Sequence, residues 1–276
     1  MRLVTFVAPD SPDRERVGEL REDRTVIELE APSMIDWLGG AGRSPSGMEW
    51  PLTDVRVRAP VPRPPSVRDF FAYEGHVAAG FRLRDAEIPE AWYEAPVFYF
   101  SNPAAIFGPG EPITRPAAAQ RLDFELEVAV AIGAAGEIAG FMLMNDWSAR
   151  DIQRREMTVG LGPAKGKDFA TSLGPWLVTA DELPYDGERL DLEATVTVNG
   201  RAVARCRSKP MQFSWPELVA HAARDTTLCP GDVIGSGTLA GGCLLELGPI
   251  DGHWIEPGDV VTLAAPGLGE LTTPVL

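Results

Sequence analysis

The sequence is poor in cysteine, histidine and lysine, each of which occurs only three times in 276 residues. The cysteines, Cys206, Cys229 and Cys243, are odd in number and share no C-x-x-C spacing, which favours reduced thiols over a disulfide framework. No stretch approaches the roughly 20 apolar residues of a membrane span, and the first apolar run is too short for a signal peptide. We therefore expect a cytoplasmic protein without a membrane anchor.

Positive charge is also scarce. Lysine and arginine together number 25 against 40 acidic residues, giving a formal net charge of −15. Because such a surface is repelled by nucleic acid and by anionic membranes, neither is an expected partner. A hydrophobic fraction of 45% supports a substantial core, and the length suits one large domain with a small appendage.

Several common catalytic motifs are absent or incomplete. Residues 162–167 are weakly similar to a phosphate-binding loop, but Leu161 and Asp168 stand where that loop carries a glycine and a serine or threonine. The Gly235-Ser-Gly237 turn is similar to a dinucleotide fingerprint, but residues 241–247 after it are predicted to form a strand rather than a helix. No G-x-S-x-G elbow and no H-E-x-x-H helix occurs. Cys243 is interpreted as a buried structural thiol rather than a nucleophile.

The periodicity of most of the chain predicts short strands separated by turns. These strands cover residues 2–7, 17–20, 25–29, 96–101, 122–132, 140–145, 190–198 and 201–206, the last two joined by an Asn199-Gly200 hairpin turn. Helices are expected at residues 34–38, 66–81 with a Ser66 cap, 148–158 with a Ser148 cap, and 215–224. This balance predicts a mostly antiparallel or mixed β core rather than a doubly wound sheet.

A proline-rich segment divides the chain. Residues 59–65 contain four prolines, which fix the backbone in an extended form and remove hydrogen-bond donors. We place a boundary there, between a small N-terminal domain of residues 1–62 and a larger domain of residues 63–276. The charged residues 82–95 predict a mobile flap in the larger domain.

Three carboxylates stand at the ends of two strands that the apolar pattern predicts to be buried. Glu125 and Glu127 lie two residues apart, so on a strand they project from the same face, and Asp146 closes the next strand. Buried like charges are costly unless they are paired or bound to a metal. Oxygen ligands alone favour Mg²⁺, Ca²⁺ or Mn²⁺ over zinc.

Other candidate residues allow two interpretations. On the predicted helix 66–81, Asp69 and His76 share one face, which suits either a solvated surface pair or a functional pair. Lys167 taken alone is compatible with a surface salt bridge to Asp168.

Five segments of this sequence resemble the fumarylacetoacetate hydrolase family. They are Asp69-Phe-Phe-Ala-Tyr-Glu-Gly-His76, Leu122-Asp-Phe-Glu-Leu-Glu127, Met144-Asn-Asp-Trp-Ser-Ala-Arg-Asp-Ile-Gln153, Gly166-Lys167 and Gly235-Ser-Gly-Thr238. They occur in the family's order with closely similar spacings and span about residues 66–247. The third segment is highly specific for the family.

The resemblance implies a mixed β-sandwich roll with a small N-terminal β-rich domain, usually assembled as a homodimer. It also implies a Mg²⁺ or Ca²⁺ ion, with Mn²⁺ as a third candidate, and the implied metal ligands are Asp69, Glu125, Glu127 and Asp146. By the same resemblance the catalytic groups are His76 as general base, with Lys167 and Arg150 stabilising negative charge. The implied substrate-binding residues are Tyr99, Gln153, Thr238 and Arg82.

The family acts on small 1,3-dicarbonyl acids, which can chelate a hard cation through two oxygens. The resemblance therefore implies a metal-dependent hydrolase that cleaves a C–C bond in a small 1,3-diketo acid, either an acylpyruvate or a compound like fumarylacetoacetate. A first alternative is a decarboxylase, isomerase or dehydratase that acts on a related 2-keto acid through a metal-bound enolate. A second alternative is a metal-binding family member without catalysis.

One departure from the family concerns the base. In well-known fumarylacetoacetases a glutamate after the Gly-Thr loop orients the histidine, but residues 237–243 contain no glutamate. The expected partners of His76 are therefore Glu74 or an acidic residue of the flap, Glu87, Glu90 or Glu94. A weakened base slightly favours the reactions in which no water attacks.

A second departure concerns the substrate. Phe71 and Met157 occupy positions where those enzymes carry substrate-contacting tyrosines. The loss of two hydroxyls makes the pocket less polar, so fumarylacetoacetate itself is not the expected substrate.

Overall fold

A computed structural model describes residues 1–22 and 24–276. These residues form eighteen strands, namely β1 (Arg2–Val7), β2 (Glu15–Arg21), β3 (Thr25–Leu29), β4 (Pro45–Pro51), β5 (Arg56–Val57), β6 (Val67–Phe70), β7 (Phe98–Ser101), β8 (Ile106–Phe107), β9 (Leu122–Asp123), β10 (Leu126–Ile132), β11 (Ile138–Asp146), β12 (Ser148–Ala149), β13 (Thr171–Val178), β14 (Glu193–Val198), β15 (Arg201–Arg207), β16 (Val233–Gly235), β17 (Val260–Ala265) and β18 (Gly269–Pro274). Six α-helices accompany them, namely α1 (Met34–Leu38), α2 (Glu74–Arg82), α3 (Ala91–Glu94), α4 (Arg150–Met157), α5 (Trp215–Ala223) and α6 (Leu244–Leu247). Two short 3₁₀ helices cover Leu52–Asp54 and Ala180–Glu182.

Most strands belong to one 12-stranded mixed sheet. Its main path runs β4-β3-β2-β1-β13-β11-β10-β16-β6-β7, and β5 and β8 attach to β1 and β13. Within the described ranges the strand pairs are antiparallel except β16 with β6 and β13 with β8. The prediction of a mostly β, mixed core is confirmed.

A four-stranded sheet, β15-β14-β17-β18, packs on one face of the large sheet. Alternate residues of β10 show how both faces are covered. Val128 and Val130 join the core shared with the four-stranded sheet, whereas Ala129 and Ala131 join the core beneath α1. Because β10 is buried on both faces, its sequence is a continuous apolar run rather than an alternating one.

The Asn199-Gly200 turn joins β14 to β15 as predicted. Both residues have positive φ, 52° and 77°, the geometry of a tight two-residue hairpin turn that asparagine and glycine tolerate well.

The N-terminal strands continue the large sheet, because β1 pairs with β13 through Arg2–Val178 and Leu3–Leu177. The segment before residue 62 therefore shares a sheet with the strands that follow it. The domain boundary at residue 62 stays a prediction.

The prediction of a helix over residues 66–81 is wrong in its first half. Val67–Phe70 is instead strand β6, paired with β16 on one side and β7 on the other, and α2 begins only at Glu74. The Ser66 hydroxyl donates to Asp232 at 2.6 Å rather than capping a helix. Two strand partners outweigh a local capping signal, and so Asp69 lies on a strand and not on one helix face with His76.

Two further local predictions are corrected. Ser148 belongs to β12, so α4 begins at Arg150 without a serine cap. The segment 241–247 contains helix α6 rather than a strand, because the carboxylate of Asp123 accepts hydrogen bonds from the backbone N–H groups of its first turn.

Across the described residues, we find no helix that is both long and apolar enough to span a membrane.

Candidate active site

Three buried carboxylates converge on one face of the large sheet. Asp69 comes from β6, Glu127 from β10 and Asp146 from the end of β11, and each offers an oxygen within 4.8 Å of the others. All three side chains are at most 4% exposed. Strands that lie close together in the sheet thus bring together residues that are far apart in sequence.

Gly235 makes this convergence sterically possible. It lies on β16, between β10 and β6, and pairs with Ala129 on one side and Asp69 on the other. A Cβ atom at this position would lie 2.5 Å from Oδ1 of Asp69 and 3.1 Å from Oε2 of Glu127. The intervening strand must therefore carry a glycine for the two carboxylates to meet above it.

The donor set fits a hard divalent cation. One oxygen on each carboxylate, Oδ1 of Asp69, Oε2 of Glu127 and Oδ1 of Asp146, is buried without a hydrogen-bond partner among the described residues. Buried carboxylate oxygens without partners are costly unless a cation compensates them. Oxygen-only ligation suits Mg²⁺, Ca²⁺ or Mn²⁺.

Glu125 lies beside this group but has different partners. Its carboxylate is 2.6 Å from Nη1 of Arg150 and accepts a hydrogen bond from Nζ of Lys167 at 2.5 Å. Lys167 also donates to Oδ2 of Asp146 at 2.5 Å, so the lysine bridges the two carboxylates. Lys167 is 4% exposed, which excludes its surface salt bridge to Asp168; that pair is made by Lys165. The role of Glu125 as a fourth metal ligand stays a prediction.

The electrostatics divide the carboxylates into two kinds. Burial raises the pKa of Asp69 and of Glu127 well above the ordinary range, and repulsion from neighbouring carboxylates adds to the effect. Burial also acts on Glu125, but Arg150 and Lys167 outweigh it and hold the pKa of that carboxyl below its usual value. Glu125 is thus compensated by protein cations, whereas Asp69 and Glu127 are not.

Lys167 and Arg150 keep their positive charge. Burial alone would lower the pKa of Lys167, but Asp146 and Glu125 raise it above its ordinary value. The pKa of Arg150 is likewise raised, because Glu125 and Asp123 outweigh its burial. A protonated Lys167 can attract negative charge but cannot act as a nucleophile.

Two predicted substrate-binding residues contact the carboxylate group directly. The hydroxyl of Tyr99 donates to Oδ2 of Asp146 at 2.7 Å, and the hydroxyl of Thr238 donates to Oε1 of Glu127 at 3.4 Å. Gln153 lies on α4, where its amide oxygen accepts from Nη1 of Arg150 at 3.2 Å. Their predicted contacts with substrate are not tested by these positions.

Arg82 is not brought into the group. It is exposed at the end of α2, six residues after His76, and no hydrogen bond or ion pair of its side chain is found across residues 1–22 and 24–276. Its role as a substrate ligand stays a prediction.

His76 has a carboxylate partner that the sequence did not reveal. Its Nδ1 lies 2.7 Å from Oε1 of Glu246 on α6, while its Nε2 faces Oε1 of Glu125 at 3.9 Å. The expectation that Glu74 or a flap residue orients His76 is therefore corrected; Glu74 instead accepts a hydrogen bond from the hydroxyl of Tyr93. Burial opposes the charge of Glu246, but its hydrogen bond with His76 holds the pKa of Glu246 below its usual value.

Asp123 anchors the helix that carries Glu246. Its carboxylate accepts from the backbone N–H groups of Leu244 and Leu245 at 2.8 and 2.9 Å, and it pairs with Arg150 at 2.7 Å. Asp123 thereby links the start of α6 to Arg150, whose guanidinium also pairs with Glu125. Asp123, Glu246 and Gly235 all lie inside or beside motifs singled out in the sequence, but their contacts depend on tertiary packing.

Cys243 is buried against the same pair. Its Sγ is 3.7 Å from Nδ1 of His76 and 3.5 Å from Oε1 of Glu246. Burial raises the pKa of this thiol well above its ordinary value, which agrees with the interpretation of a buried thiol rather than a nucleophile.

Comparison with known proteins identifies the family of the chain. The family described as Fumarylacetoacetate (FAA) hydrolase C-terminal matches residues 65–276. A Mycobacterium tuberculosis protein is 35% identical over 287 residues, which cover 100% of this chain and 98% of that protein.

Two solved structures are similar over the whole length. The 5-carboxymethyl-2-hydroxymuconate delta-isomerase of Mycobacterium smegmatis is 32% identical with a TM-score of 0.77, covering 100% of this chain and 99% of its own. The fumarylacetoacetate hydrolase of Exiguobacterium antarcticum is 25% identical with a TM-score of 0.79 and the same coverage. The chain belongs to the fumarylacetoacetate hydrolase family.

Proposed function

We propose that this protein is a divalent-metal-dependent hydrolase that cleaves a C–C bond in a small 1,3-diketo acid such as an acylpyruvate. The observation that carries the proposal is the pair formed by His76 and Glu246 beside the carboxylates of Asp69, Glu127 and Asp146. The site thus combines a group able to take a proton from water with an oxygen donor set for a hard cation.

The proposed metal ligands are Asp69, Glu127 and Asp146, with Glu125 as a fourth. A hard cation in this position would polarise the carbonyl that water attacks. Tyr99 and Lys167 hold Asp146, and Thr238 holds Glu127, so the ligand oxygens are fixed in position.

His76 acts as the general base. Glu246 is a carboxylate and accepts from Nδ1–H, which leaves the lone pair on Nε2 free to take a proton from water. The resulting imidazolium lies between Glu246 and Glu125, and both carboxylates stabilise it. This arrangement resembles the general rule that a third group orients the base.

Lys167 and Arg150 supply positive charge on the other side of Glu125. C–C cleavage expels an enolate, and fixed cations in a buried site stabilise developing negative charge more strongly than they would in water. We assign them this role together with that of holding Glu125 ionised.

The side chain of Phe71 beside His76 indicates which acyl group the site favours. The Phe71 ring packs edge-on against His76, with ring centroids 5.4 Å apart. An aromatic ring without a hydroxyl favours an apolar acyl group over the acidic chain of fumarylacetoacetate.

A second candidate is isomerisation or decarboxylation of a related 2-keto acid. The observation that favours it is the full-length similarity to a protein named as a delta-isomerase, at 32% identity. The sequence favoured this candidate because His76 had no glutamate partner. That argument no longer holds, since Glu246 lies beside Nδ1 of His76.

We also propose that the protein is a homodimer. β7 is an edge strand of the large sheet, and Phe100 on it is 64% exposed. Light scattering at micromolar concentration tests this assembly, and a monomer would contradict it.

The function is tested with a panel of acylpyruvates and related 2-keto acids in the presence of Mg²⁺. Loss of the ultraviolet enol absorbance, with two carboxylic products identified by mass, supports hydrolysis. An isobaric product, or one lighter by carbon dioxide, assigns the second candidate. No turnover of any compound, with Mg²⁺ binding retained, would point to a specialised substrate outside the panel or to a binding protein without catalysis.

A further inference from the structure

We propose that His76, Cys243 and Glu246 form a second metal site, which binds a thiophilic divalent cation such as Zn²⁺ or Cd²⁺. The site is distinct from the oxygen-only carboxylate group, and it lies on the opposite edge of the His76 ring. Its three donors are one nitrogen, one sulfur and one oxygen, all within 4.8 Å of one another.

Two of the three donor separations fit tetrahedral coordination. With Zn–S near 2.3 Å and Zn–N and Zn–O near 2.0 Å, tetrahedral edges are about 3.5 Å for S–N and S–O and about 3.3 Å for N–O. The observed separations are 3.7 Å from Sγ to Nδ1, 3.5 Å from Sγ to Oε1, and 2.7 Å from Nδ1 to Oε1. Only the last must open, by roughly 0.6 Å, which replaces the hydrogen bond with two metal bonds.

The charges also balance. A thiolate and a carboxylate together neutralise a divalent cation, so the buried site carries no net charge when it is filled. Binding removes the proton from the Cys243 thiol and releases it to solvent. On His76 the proton moves from Nδ1 to Nε2, because the metal takes the Nδ1 lone pair.

The ligand set selects against Mg²⁺. A buried neutral thiol exchanges its proton only for a cation with high affinity for sulfur, and Mg²⁺ strongly prefers oxygen and octahedral geometry. The two sites therefore sort cations by hardness: the carboxylate group takes the hard ion and the His–Cys–Glu site takes the soft one.

Occupancy of the second site would inhibit the enzyme. Protonation of Nε2 removes the lone pair that accepts a proton from water, a consequence that rests on the proposed role of His76. The expected inhibition by Zn²⁺ or Cd²⁺ is not relieved by excess Mg²⁺, because the two ions do not compete for one site.

Binding is tested without reference to turnover. Metal-stripped Cys229→Ser protein, which lacks the exposed thiol, is titrated with Cd²⁺ in excess Mg²⁺ while the ultraviolet thiolate-to-cadmium charge-transfer absorbance is recorded. We expect saturation at one equivalent. Adding Cys243→Ser should abolish this absorbance, because serine offers no thiolate to the Cd²⁺ ion. Asp146→Ala should leave the absorbance in place.

Three outcomes overturn the proposal. They are no charge-transfer absorbance in Cys229→Ser protein, an unchanged absorbance after Cys243→Ser, and loss of the absorbance in Asp146→Ala. If Cys243→Ser fails to fold, cadmium NMR of the protein with Cys243 intact decides instead, since an oxygen-only signal excludes a thiolate ligand. Failure of diketo acid turnover leaves these readouts unaffected, so the two proposals fail separately.

Discussion

Oε1 of Glu246 lies 2.7 Å from Nδ1 of His76, although 170 residues separate the two in sequence. The contact fixes the imidazole orientation and leaves Nε2 directed toward Glu125. Attack by water requires a base that is oriented in this way. Removing the contact between Glu246 and His76 therefore gives the most direct test of the proposed chemistry.

Glu246→Gln should lower kcat by on the order of 10²–10⁴-fold, the contribution of a general base. A glutamine can donate its NH₂ to Nδ1, which holds the proton of His76 on Nε2 and blocks it as a base. KM and Mg²⁺ affinity should change little. The matched control is Glu74→Gln in the first turn of α2, where Glu74 accepts a hydrogen bond from the hydroxyl of exposed Tyr93. Steady-state kinetics of both variants check this prediction. A kcat of Glu246→Gln equal to that of Glu74→Gln would remove Glu246 from the mechanism.

Glu127→Gln should remove most of the stabilisation that Mg²⁺ gives. At about 100 times its Kd a ligand adds about 2.7 kcal/mol to the free energy of unfolding, and an amide in place of this buried carboxylate loses the attraction for the cation. Without metal the variant should be at least as stable as the parent, because repulsion from Asp69 and Asp146 is relieved. Thermal melts with chelator and with Mg²⁺ measure both effects. Undiminished Mg²⁺ stabilisation would place the ion elsewhere.

Gly235→Ala should weaken Mg²⁺ binding and activity together, since its methyl group would lie 2.5 Å from Oδ1 of Asp69. The carboxylates must then separate. Gly80→Ala is the control, because nothing lies within 4 Å of a Cβ there and the helix gains roughly 0.5–1 kcal/mol. Isothermal calorimetry with Mg²⁺ checks the affinity, and a Gly235→Ala protein with unaltered affinity contradicts the steric argument.

The metal-free protein should lose stability as the pH rises above about 4, the ordinary carboxyl pKa. The pKa values of Asp69 and Glu127 are raised in the folded state, so in this interval the folded chain binds more protons than the unfolded chain. The free energy of unfolding then falls with increasing pH. Glu125 has the opposite sign, and its contribution is lost only as the pH falls below the ordinary carboxyl value.

Urea denaturation with chelator, between about pH 5 and 8, measures this dependence. Saturating Mg²⁺ should reduce the loss, and Glu127→Gln should reduce it without metal. A metal-free stability that rises over the same interval would show that the carboxylates are compensated by other means.

Local patterns predicted much of the fold. The strands at residues 2–7 and 25–29 and the Asn199-Gly200 turn are confirmed, because alternation of apolar residues and turn chemistry act within a few residues. The helix expected from Ser66 failed because β6 has strand partners on both sides, one of them more than 160 residues away. A capping signal carries no information about such a partner.

The candidate site was predicted unevenly for the same reason. Asp69, Glu127 and Asp146 were found through motifs, and the structure brings them together. Glu246 was missed because residues 241–247 were assigned to a strand, which would have pointed alternate side chains to opposite faces. Helix α6 exists because Asp123 satisfies its first N–H groups, a contact across more than 120 residues.

The position of β16 has a consequence during synthesis. β16 lies between β10 and β6 in the sheet, yet it follows both in the chain by about 100 residues or more. A nascent chain that has left the ribosome only as far as β15 carries all three carboxylates but lacks the strand that spaces them. A cation held by these carboxylates would therefore not act as an early folding nucleus, and its binding would mark a chain whose sheet is already closed around Gly235.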